Sequence, residues 1–156
     1  MMMTDTDPGK TAACETTARQ RWLAILARAS RGEIETLVGA ALPAHEILKA
    51  PETGTVMVEG RAGGAGRRFN LGEATVTRCV VRLENGAMGF SYALGRDGRK
   101  ARLAAILDAR LQSEDADGAL LAGVAQLAAT QAAARDLASC KAATTKVDFF
   151  TLVRGA

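Results

Sequence analysis

Aromatic side chains make up only 4% of this 156-residue chain, which also has a single histidine, His45, and three cysteines. Cys14, Cys79 and Cys140 lie far apart and form no C-x-x-C pair. This spacing excludes the usual zinc, iron–sulfur and disulfide frameworks and favours a reducing cytoplasm. One histidine excludes a histidine-rich metal site, and nothing near it suggests a Ser-His-Asp arrangement. The sequence pattern therefore assigns no catalytic residue and no metal ligand.

Long apolar runs are also absent. The longest, from Ala119 to Ala125, falls well short of the roughly 20 residues that a membrane helix requires. The N-terminus is polar and acidic and lacks the basic-then-apolar order of a secretory signal. A chain of 156 residues fits one domain that needs no metal or disulfide to hold it. We therefore expect a disordered lead over residues 1–14 and a single cytoplasmic domain over residues 15–156.

The net charge is +3, from 20 basic and 17 acidic residues that are interspersed and never form a basic block. A nucleic-acid interface usually combines a basic stripe with stacking aromatics, whereas Trp22 and Tyr92 lie far apart in the sequence. Composition therefore disfavours a nucleic-acid-binding domain. The section from Arg61 to Arg102 is more basic than the rest and would attract anions. The sequence has no G-x-x-x-x-G-K-S/T phosphate loop, so ATP binding by that standard motif is excluded.

Two capping boxes predict a helical hairpin at the start of the domain. Thr17 with Gln20 begins a helix that runs to about Ala29, and Ser30 with Glu33 begins a second. The apolar spacing of the second helix continues to Leu42, where Pro43 would stop it.

The pattern then changes to the two-residue period of strands. We expect two short strands around a proline-led turn, a longer strand, and a two-residue Asn-Gly hairpin in which both turn residues have positive φ. The turn is Pro51 to Gly54, and the strands are His45 to Ala50, Thr55 to Glu59, Glu73 to Leu83 and Ala87 to Leu94. The last of these places Met88, Phe90, Tyr92 and Leu94 on one side.

Helical spacing returns towards the C-terminus. Asp97 is placed to cap a helix from Lys100 to Gln112, and an alanine-rich section from Ala119 to about Ala142 predicts one long or two shorter helices. The stretch from Val147 to Val153 reads as a final strand or a docking segment. The predicted fold class is α+β: an N-terminal helical hairpin, a central antiparallel sheet, C-terminal helices and a final strand. Because its apolar residues are mostly small, we expect a core that suits close packing or completion by a partner.

A glycine- and arginine-rich stretch, R-A-G-G-A-G-R-R-F from Arg61 to Phe69, is the strongest candidate for binding an anion. Glycine lets backbone N–H groups converge on a phosphate, and arginine offers a planar fork to its oxygens. The alternative is that the stretch is only a tight turn or bulge between strands. The candidates for anion contact are Arg61, Gly63, Gly64, Gly66, Arg67, Arg68, Arg78 and Arg96.

Two arginines of the long strand, Arg78 and Arg82, share one face of it. An arginine on a sheet face is solvated, pairs with a carboxylate or meets an external anion. Near the C-terminus, Phe149 and Phe150 point to opposite sides of any strand they form. Both rings are buried only if the segment is covered on both sides, so Phe149, Phe150 and Arg154 are candidates for a subunit interface.

Five ordered motifs resemble the PhnG family of the bacterial carbon–phosphorus lyase core complex. They are P-E-T-G at Pro51, the glycine- and arginine-rich stretch at Arg61, L-G-E-A-T-V-T-R at Leu71, G-F-S-Y-A-L-G-R-D at Gly89 and V-D-F-F-T-L-V-R-G at Val147. The first helix, T-A-R-Q-R-W-L from Thr17, fits as well. The resemblance covers roughly residues 15–155.

The resemblance implies a role in phosphonate breakdown together with PhnH, PhnI and PhnJ partners. It implies that the complex transfers an alkylphosphonate to C1 of the ATP ribose and releases adenine, giving a ribose 1-alkylphosphonate 5-triphosphate. It also implies that a partner subunit carries the iron–sulfur cluster and uses S-adenosylmethionine, so that this chain binds no cofactor and has no standalone activity. The alternative is a purely structural scaffold subunit that touches no substrate.

Overall fold

The computed structural model describes residues 17–113 and 118–147. Its helices pack on one face of an antiparallel sheet whose strand order is β1-β2-β3. The elements are α1 (Ala18–Arg28), α2 (Arg31–Val38), β1 (His45–Arg61), a 3-10 turn (Ala62–Gly64), β2 (Arg68–Leu83), β3 (Met88–Leu94), α3 (Gly98–Leu111) and α4 (Gly118–Ala143). The predicted α+β class, with N-terminal helices, a central antiparallel sheet and C-terminal helices, is confirmed.

Both predicted capping boxes are present. The side chains of Thr17 and Ser30 accept hydrogen bonds from the third residue of α1 and α2, and the side chain of that residue bonds back to the cap. α2 ends at Val38, however, so its predicted extension to Leu42 is wrong. Gly39 has φ 80° and donates its N–H to the carbonyl of Glu35 at 3.1 Å. Glycine takes this left-handed conformation easily, so the helix ends before Pro43 is reached.

β1 is one continuous strand, so the predicted turn from Pro51 to Gly54 is wrong. Lys49 pairs with Val80 and Glu52 pairs with Arg78, which leaves Ala50 and Pro51 opposite the single residue between those partners. This is a bulge. Because proline has no N–H to give to a ladder, a bulge in an edge strand can accommodate it.

The hairpin between β2 and β3 lies at the Asn-Gly pair, as predicted, but its turn type is different. Gly86 has φ 84°, and no non-glycine residue of the described chain has a positive φ. The N–H of Gly86 donates to the carbonyl of Leu83 at 2.9 Å, and the N–H of Leu83 donates to the carbonyl of Ala87 at 2.9 Å. A turn followed by one left-handed glycine closes the hairpin, so the prediction of two positive φ angles is wrong.

The core lies between the helices and the sheet, and small side chains form part of it beside leucine, isoleucine and valine. Ala101, Ala104, Ala105 and Ala109 of α3 are buried, and Gly89 of β3 approaches the helix so closely that a Cβ would overlap its backbone. Asp97 caps α3 by accepting a hydrogen bond from the backbone of the third residue. Small residues on both elements allow this close packing, which fixes β3 against α3.

Side chains of α3 and of its C-terminal cap, Gln112, also form hydrogen bonds with the outer edge of β3. Asp108 accepts the N–H of Phe90 at 3.0 Å, Gln112 donates to the carbonyl of Met88 at 2.8 Å, and Lys100 donates to the carbonyl of Leu94 at 3.1 Å. These bonds satisfy edge groups that another strand would otherwise use.

α4 is a single helix of 26 residues. Leu120, Val124 and Leu127 in its first half are buried, and the helix contacts α1 and α2. Beyond these residues its side chains are mostly exposed. The predicted final strand, Phe149, Phe150 and Arg154 lie outside the described residues, as does the predicted lead over residues 1–14.

Candidate functional site

Among the described residues, helices cover one face of the sheet and leave the other face open. Cys79 and Val81 of β2 are buried, whereas Arg78 and Arg82 between and beside them are exposed. Residues paired across an antiparallel ladder point to the same side, so the partners of these arginines share their face. The open face consists of Glu46, Lys49, Glu52, Arg78, Val80, Arg82, Met88, Phe90, Tyr92 and Leu94. The predicted alternation of β2 and β3 is confirmed.

β1 and β2 continue past the end of β3 as a two-stranded arm, residues 55–75. The last pair between β2 and β3 is Val76 with Leu94, whereas β1 and β2 stay paired as far as Arg61 with Arg68. Nearly all side chains of the arm are exposed, those of Met57 and Leu71 by 55% and 67%. The arm therefore presents apolar side chains on a ribbon that has no third strand beside it in the described part of the chain.

A groove of about 740 Å³ lies on the open face, between β3 and the start of α1. Its apolar lining comes from Met88, Phe90 and Tyr92, and its cations are Arg19, Lys49 and Arg78. An aromatic wall beside guanidinium and ammonium groups suits a ligand that has both an anionic and an apolar part.

Two cations of the groove share one carboxylate. Glu52 accepts hydrogen bonds from Arg78 at 3.0 Å and forms an ion pair with Lys49 at 3.0 Å. The hydrogen bonds from Lys49, and then those from Arg78, hold the pKa of the Glu52 carboxyl below its usual range. One negative charge cannot neutralise two positive ones, so this side of the groove keeps a positive excess that attracts anions.

The third cation, Arg19, is held by a fully buried carboxylate. Asp108 is 0% exposed and accepts both the Nε and Nη2 groups of Arg19, at 3.2 and 2.7 Å. It also accepts the indole N–H of Trp22 at 2.8 Å, the backbone N–H of Phe90 and the amide of Gln112. The guanidinium of Arg19 lies 4.5 Å from the centre of the Phe90 ring. Asp108 thus joins α1, α3 and β3 at the edge of the groove.

The second arginine of the open face is also paired. Arg82 donates to Glu46 at 2.6 Å across the β1–β2 ladder. Arg78 and Arg82 therefore both pair with a carboxylate, which is one of the three outcomes expected for an arginine on a sheet face. Each pair is about half exposed, so screening by solvent limits its contribution to stability.

The glycine- and arginine-rich stretch closes the far end of the arm. Gly63 and Gly64 have φ 59° and 81°, and the N–H of Gly66 donates to the carbonyl of Ala62 at 2.7 Å. Arg61 donates to the carbonyl of Gly66 at 3.4 Å. The glycines therefore serve to close the hairpin, and the amide of Gly66 is already bonded within the loop.

The predicted anion-binding arginines do not converge on one point. Arg61, Arg67 and Arg68 lie together at the tip of the arm, where Arg68 is 3.8 Å from Glu59. Arg78 lies ten residues from Arg68 along β2, a distance of about 33 Å. Arg96 lies in the exposed turn between β3 and α3. Strand alternation places Arg61 and Arg68 on the side of the arm opposite Val58 and Phe69, so tip and groove are separate places on the molecule.

Sequence reasoning missed Lys49, Arg19 and Asp108. The sequence did contain a signal for Arg19 and Asp108. Arg19 and Trp22 are three residues apart on α1, and Asp108 interrupts the apolar run of α3. A charged residue in the middle of a helix's apolar stripe is rarely buried without a partner. Nothing in the sequence, however, identified the partner.

The thiol of Cys79 is unsuited to nucleophilic chemistry. Cys79 is buried, and this burial raises the pKa of its thiol. Within residues 17–113 and 118–147 no group of three His, Cys, Asp or Glu side chains is arranged to hold a metal. In the same part of the chain, no helix has the length and apolar character to cross a membrane.

The fold and the groove define an α+β protein with a half-covered sheet and a cationic open face. The family described as "Phosphonate metabolism protein PhnG" matches residues 17–155. A protein of Rhizobium meliloti (strain 1021), "Alpha-D-ribose 1-methylphosphonate 5-triphosphate synthase subunit PhnG", is 45% identical over 139 residues, which is 88% of this chain and 89% of the relative. The chain belongs to the PhnG family and has a role in phosphonate metabolism.

Proposed function

We propose that this chain is the PhnG subunit of a cytoplasmic ribose 1-alkylphosphonate 5-triphosphate synthase that works with PhnH-, PhnI- and PhnJ-like subunits. The observation that carries the proposal is the 45% identity to a synthase subunit along nearly the full length of both chains. The half-covered sheet is consistent with a subunit whose fold is completed by others.

The proposed reaction of the complex joins an alkylphosphonate to the ribose of ATP. An oxygen of the phosphonate forms a bond to C1 of the ribose, and the bond from C1 to adenine breaks, with adenine leaving with the electron pair. Reactants and product carry phosphonate and triphosphate charges, which guanidinium groups recognise well. We assign no catalytic residue and no cofactor to this chain, and we expect the iron–sulfur cluster and S-adenosylmethionine to belong to a partner.

Within this proposal, the groove contributes positive charge to the reactants' binding site. Lys49 and Arg78 retain a net positive charge beside Glu52. An aromatic wall of Phe90 and Tyr92 lies next to them. Because one side of the groove is open, a second subunit would be needed to enclose a ligand there.

Co-expression with PhnH-, PhnI- and PhnJ-like partners tests the assembly. We expect the chain to co-elute with them in one species of defined mass, and this species to release adenine from ATP when an alkylphosphonate is added. A chain that elutes alone in the presence of all three partners would contradict the proposal.

The second candidate is a scaffold subunit that touches no substrate. The observation in its favour is that Arg78 already has a carboxylate partner in Glu52. Lys49→Ala with Arg78→Ala distinguishes the two candidates in the assembled complex. Weaker binding of ATP or phosphonate with unchanged assembly supports the groove, whereas unchanged binding supports the scaffold. Arg135→Ala, on the exposed part of α4, is the matched control.

A further inference from the structure

The open face and one side of the arm form a continuous apolar strip. Val58 pairs with Gly72, Val56 with Ala74 and Gly54 with Val76, and Val76 pairs in turn with Leu94. Paired residues point to the same side, so the apolar side chains of the arm lie on the same side as the groove. The strip includes Val56, Val58, Phe69, Val80, Met88, Phe90, Tyr92 and Leu94.

The strip is long and mostly exposed, apart from Val76, which is 5% exposed where the arm meets the open face. β2 spans 16 residues, or about 50 Å, and the strip follows it from the tip of the arm to the hairpin at Asn85. Val58, Phe69 and Tyr92 are 38%, 46% and 50% exposed. Contiguous exposed apolar surface of this extent marks an interaction site in a folded protein.

Charge on the open face and at the end of the arm is unbalanced. On the open face Lys49, Arg78 and Arg82 stand against two carboxylates, Glu46 and Glu52. At the end of the arm three arginines stand against Glu59 alone, and strand alternation places Arg61 and Arg68 on the side opposite the strip. A second copy of the same face would bring like charges together, whereas carboxylates that reach the end of the arm would complement the arginines there.

The described C-terminal helix packs mainly on other helices. α4 contacts α1 and α2 and is buried only in its first half. Its 26 residues span about 39 Å.

We infer that the open face and the arm together form the docking surface for a different subunit of the synthase. That subunit presents an apolar surface that covers the strip, and flanking carboxylates that reach around the end of the arm to Arg61, Arg67 and Arg68. The inference rests on the proposed function and adds the surface through which this chain docks on the other subunit. It also explains the groove, since docking on this face encloses the site beside Lys49 and Arg78.

Glutamate substitutions in the strip test the apolar part. Val58→Glu with Phe69→Glu changes the arm, Tyr92→Glu changes the open face, and Leu137→Glu, 57% exposed on α4, is the control. Titration of each full-length chain against the co-expressed partners should show at least tenfold weaker binding for the first two and unchanged binding for the control. Unchanged binding of the strip variants, or equal loss by the control, would overturn the inference.

Charge reversal at the tip tests the polar part. Arg67→Glu with Arg68→Glu should weaken assembly at least tenfold, and more at low salt than at high salt because the contact is electrostatic. Arg135→Glu should assemble normally. If the tip variant assembles fully but binds ATP or phosphonate less well, the loop is an anion cradle and the docking role of the tip is overturned.

Hydrogen exchange in the assembled complex tests the inference on the unaltered chain, so its result does not depend on whether a variant folds. Amides of residues 55–75 in the unaltered chain should exchange at least tenfold more slowly with partners than without. Absence of this protection in a complex that forms would overturn the inference alone. A wild-type chain that never joins the partners would remove the proposed function and the inference with it. A strip-dependent homodimer of the isolated chain would assign the surface to a second copy and overturn the choice of partner.

Discussion

Asp108 is the residue on which the packing around the groove depends most directly. Its two oxygens accept N–H groups from Arg19, Trp22, Phe90 and Gln112. These donors come from α1, β3 and the C-terminal end of α3, so one carboxylate holds three elements together. A buried carboxylate is stable only when such donors surround it.

Asp108→Asn should destabilise the fold by about 3 kcal/mol. Asparagine has one acceptor oxygen, so its NH₂ group would face N–H donors and leave Arg19 without a counter-charge. Urea titrations measure the free energies of unfolding of Asp108→Asn and of a control variant, Glu46→Gln. That control breaks the exposed pair with Arg82 and should cost about 1 kcal/mol or less. Equal costs for the two variants would contradict the central place of Asp108.

Asp97 gives the fold a dependence on acid pH. The backbone N–H of Lys100, and then the side chain of Arg31, hold the pKa of the Asp97 carboxyl below its ordinary value of 3.8. Because the folded pKa lies below the unfolded one, this stabilisation is full above about pH 3.8 and is lost as pH falls through the lowered folded pKa.

Asp97→Asn isolates this charge, since asparagine also caps helices. We expect wild type to be the more stable protein by less than about 1 kcal/mol at neutral pH, because Arg31 is more than half exposed. The difference should vanish below the lowered pKa of Asp97. Unfolding free energies of both proteins between about pH 2 and pH 7, taken in roughly half-unit steps, measure it. A difference that grew as pH fell would contradict the assignment.

At the scale of elements, the contact of β3 with α3 determines how close helix and sheet can lie. A Cβ on Gly89 would overlap the carbonyl of Ala105 and the amide of Ala109. The helix presents its small residues at this point, so neither element can yield without moving its backbone.

Gly89→Ala should therefore destabilise the protein by about 2 to 3 kcal/mol through overpacking. Gly54→Ala is the matched control, because Gly54 is also a strand glycine but a methyl group added there would have no atom within 4 Å. We expect that change to be neutral or stabilising by up to about 1 kcal/mol. Thermal unfolding of the two variants decides the matter, and a tolerated Gly89→Ala would show that the contact can relax.

At the scale of the whole molecule, the C-terminal segment is a second candidate for a subunit interface. Phe149 and Phe150 lie outside the described residues, and the prediction that they anchor a subunit contact stands on the sequence.

Phe149→Ala with Phe150→Ala should weaken association with the partners by several kcal/mol if both rings are buried anchors. Co-purification with PhnH-, PhnI- and PhnJ-like subunits measures the loss as reduced stoichiometry. Leu121→Ala, on the exposed side of α4, serves as the control. A double variant that still co-purifies at full stoichiometry would contradict the interface role.

The sequence by itself determined the features that depend on near neighbours in the chain. The capping boxes at Thr17 and Ser30, the cap at Asp97, the hairpin at Asn85 and the alternation in β2 follow from local hydrogen bonds and from backbone geometry. The family motifs likewise identified the PhnG family, which residues 17–155 match.

Only the tertiary structure decided the features that depend on what lies across space. Pro51 sits in a bulge of one long strand because β2 pairs on both sides of it, and local sequence shows only a turn signal. The partner of Asp108 is 89 residues away, at Arg19. The distance between Arg68 and Arg78 and the open side of the sheet follow from strand register and from which face the helices cover. Such pairings are set by the packing of the whole chain, which no short stretch of sequence encodes alone.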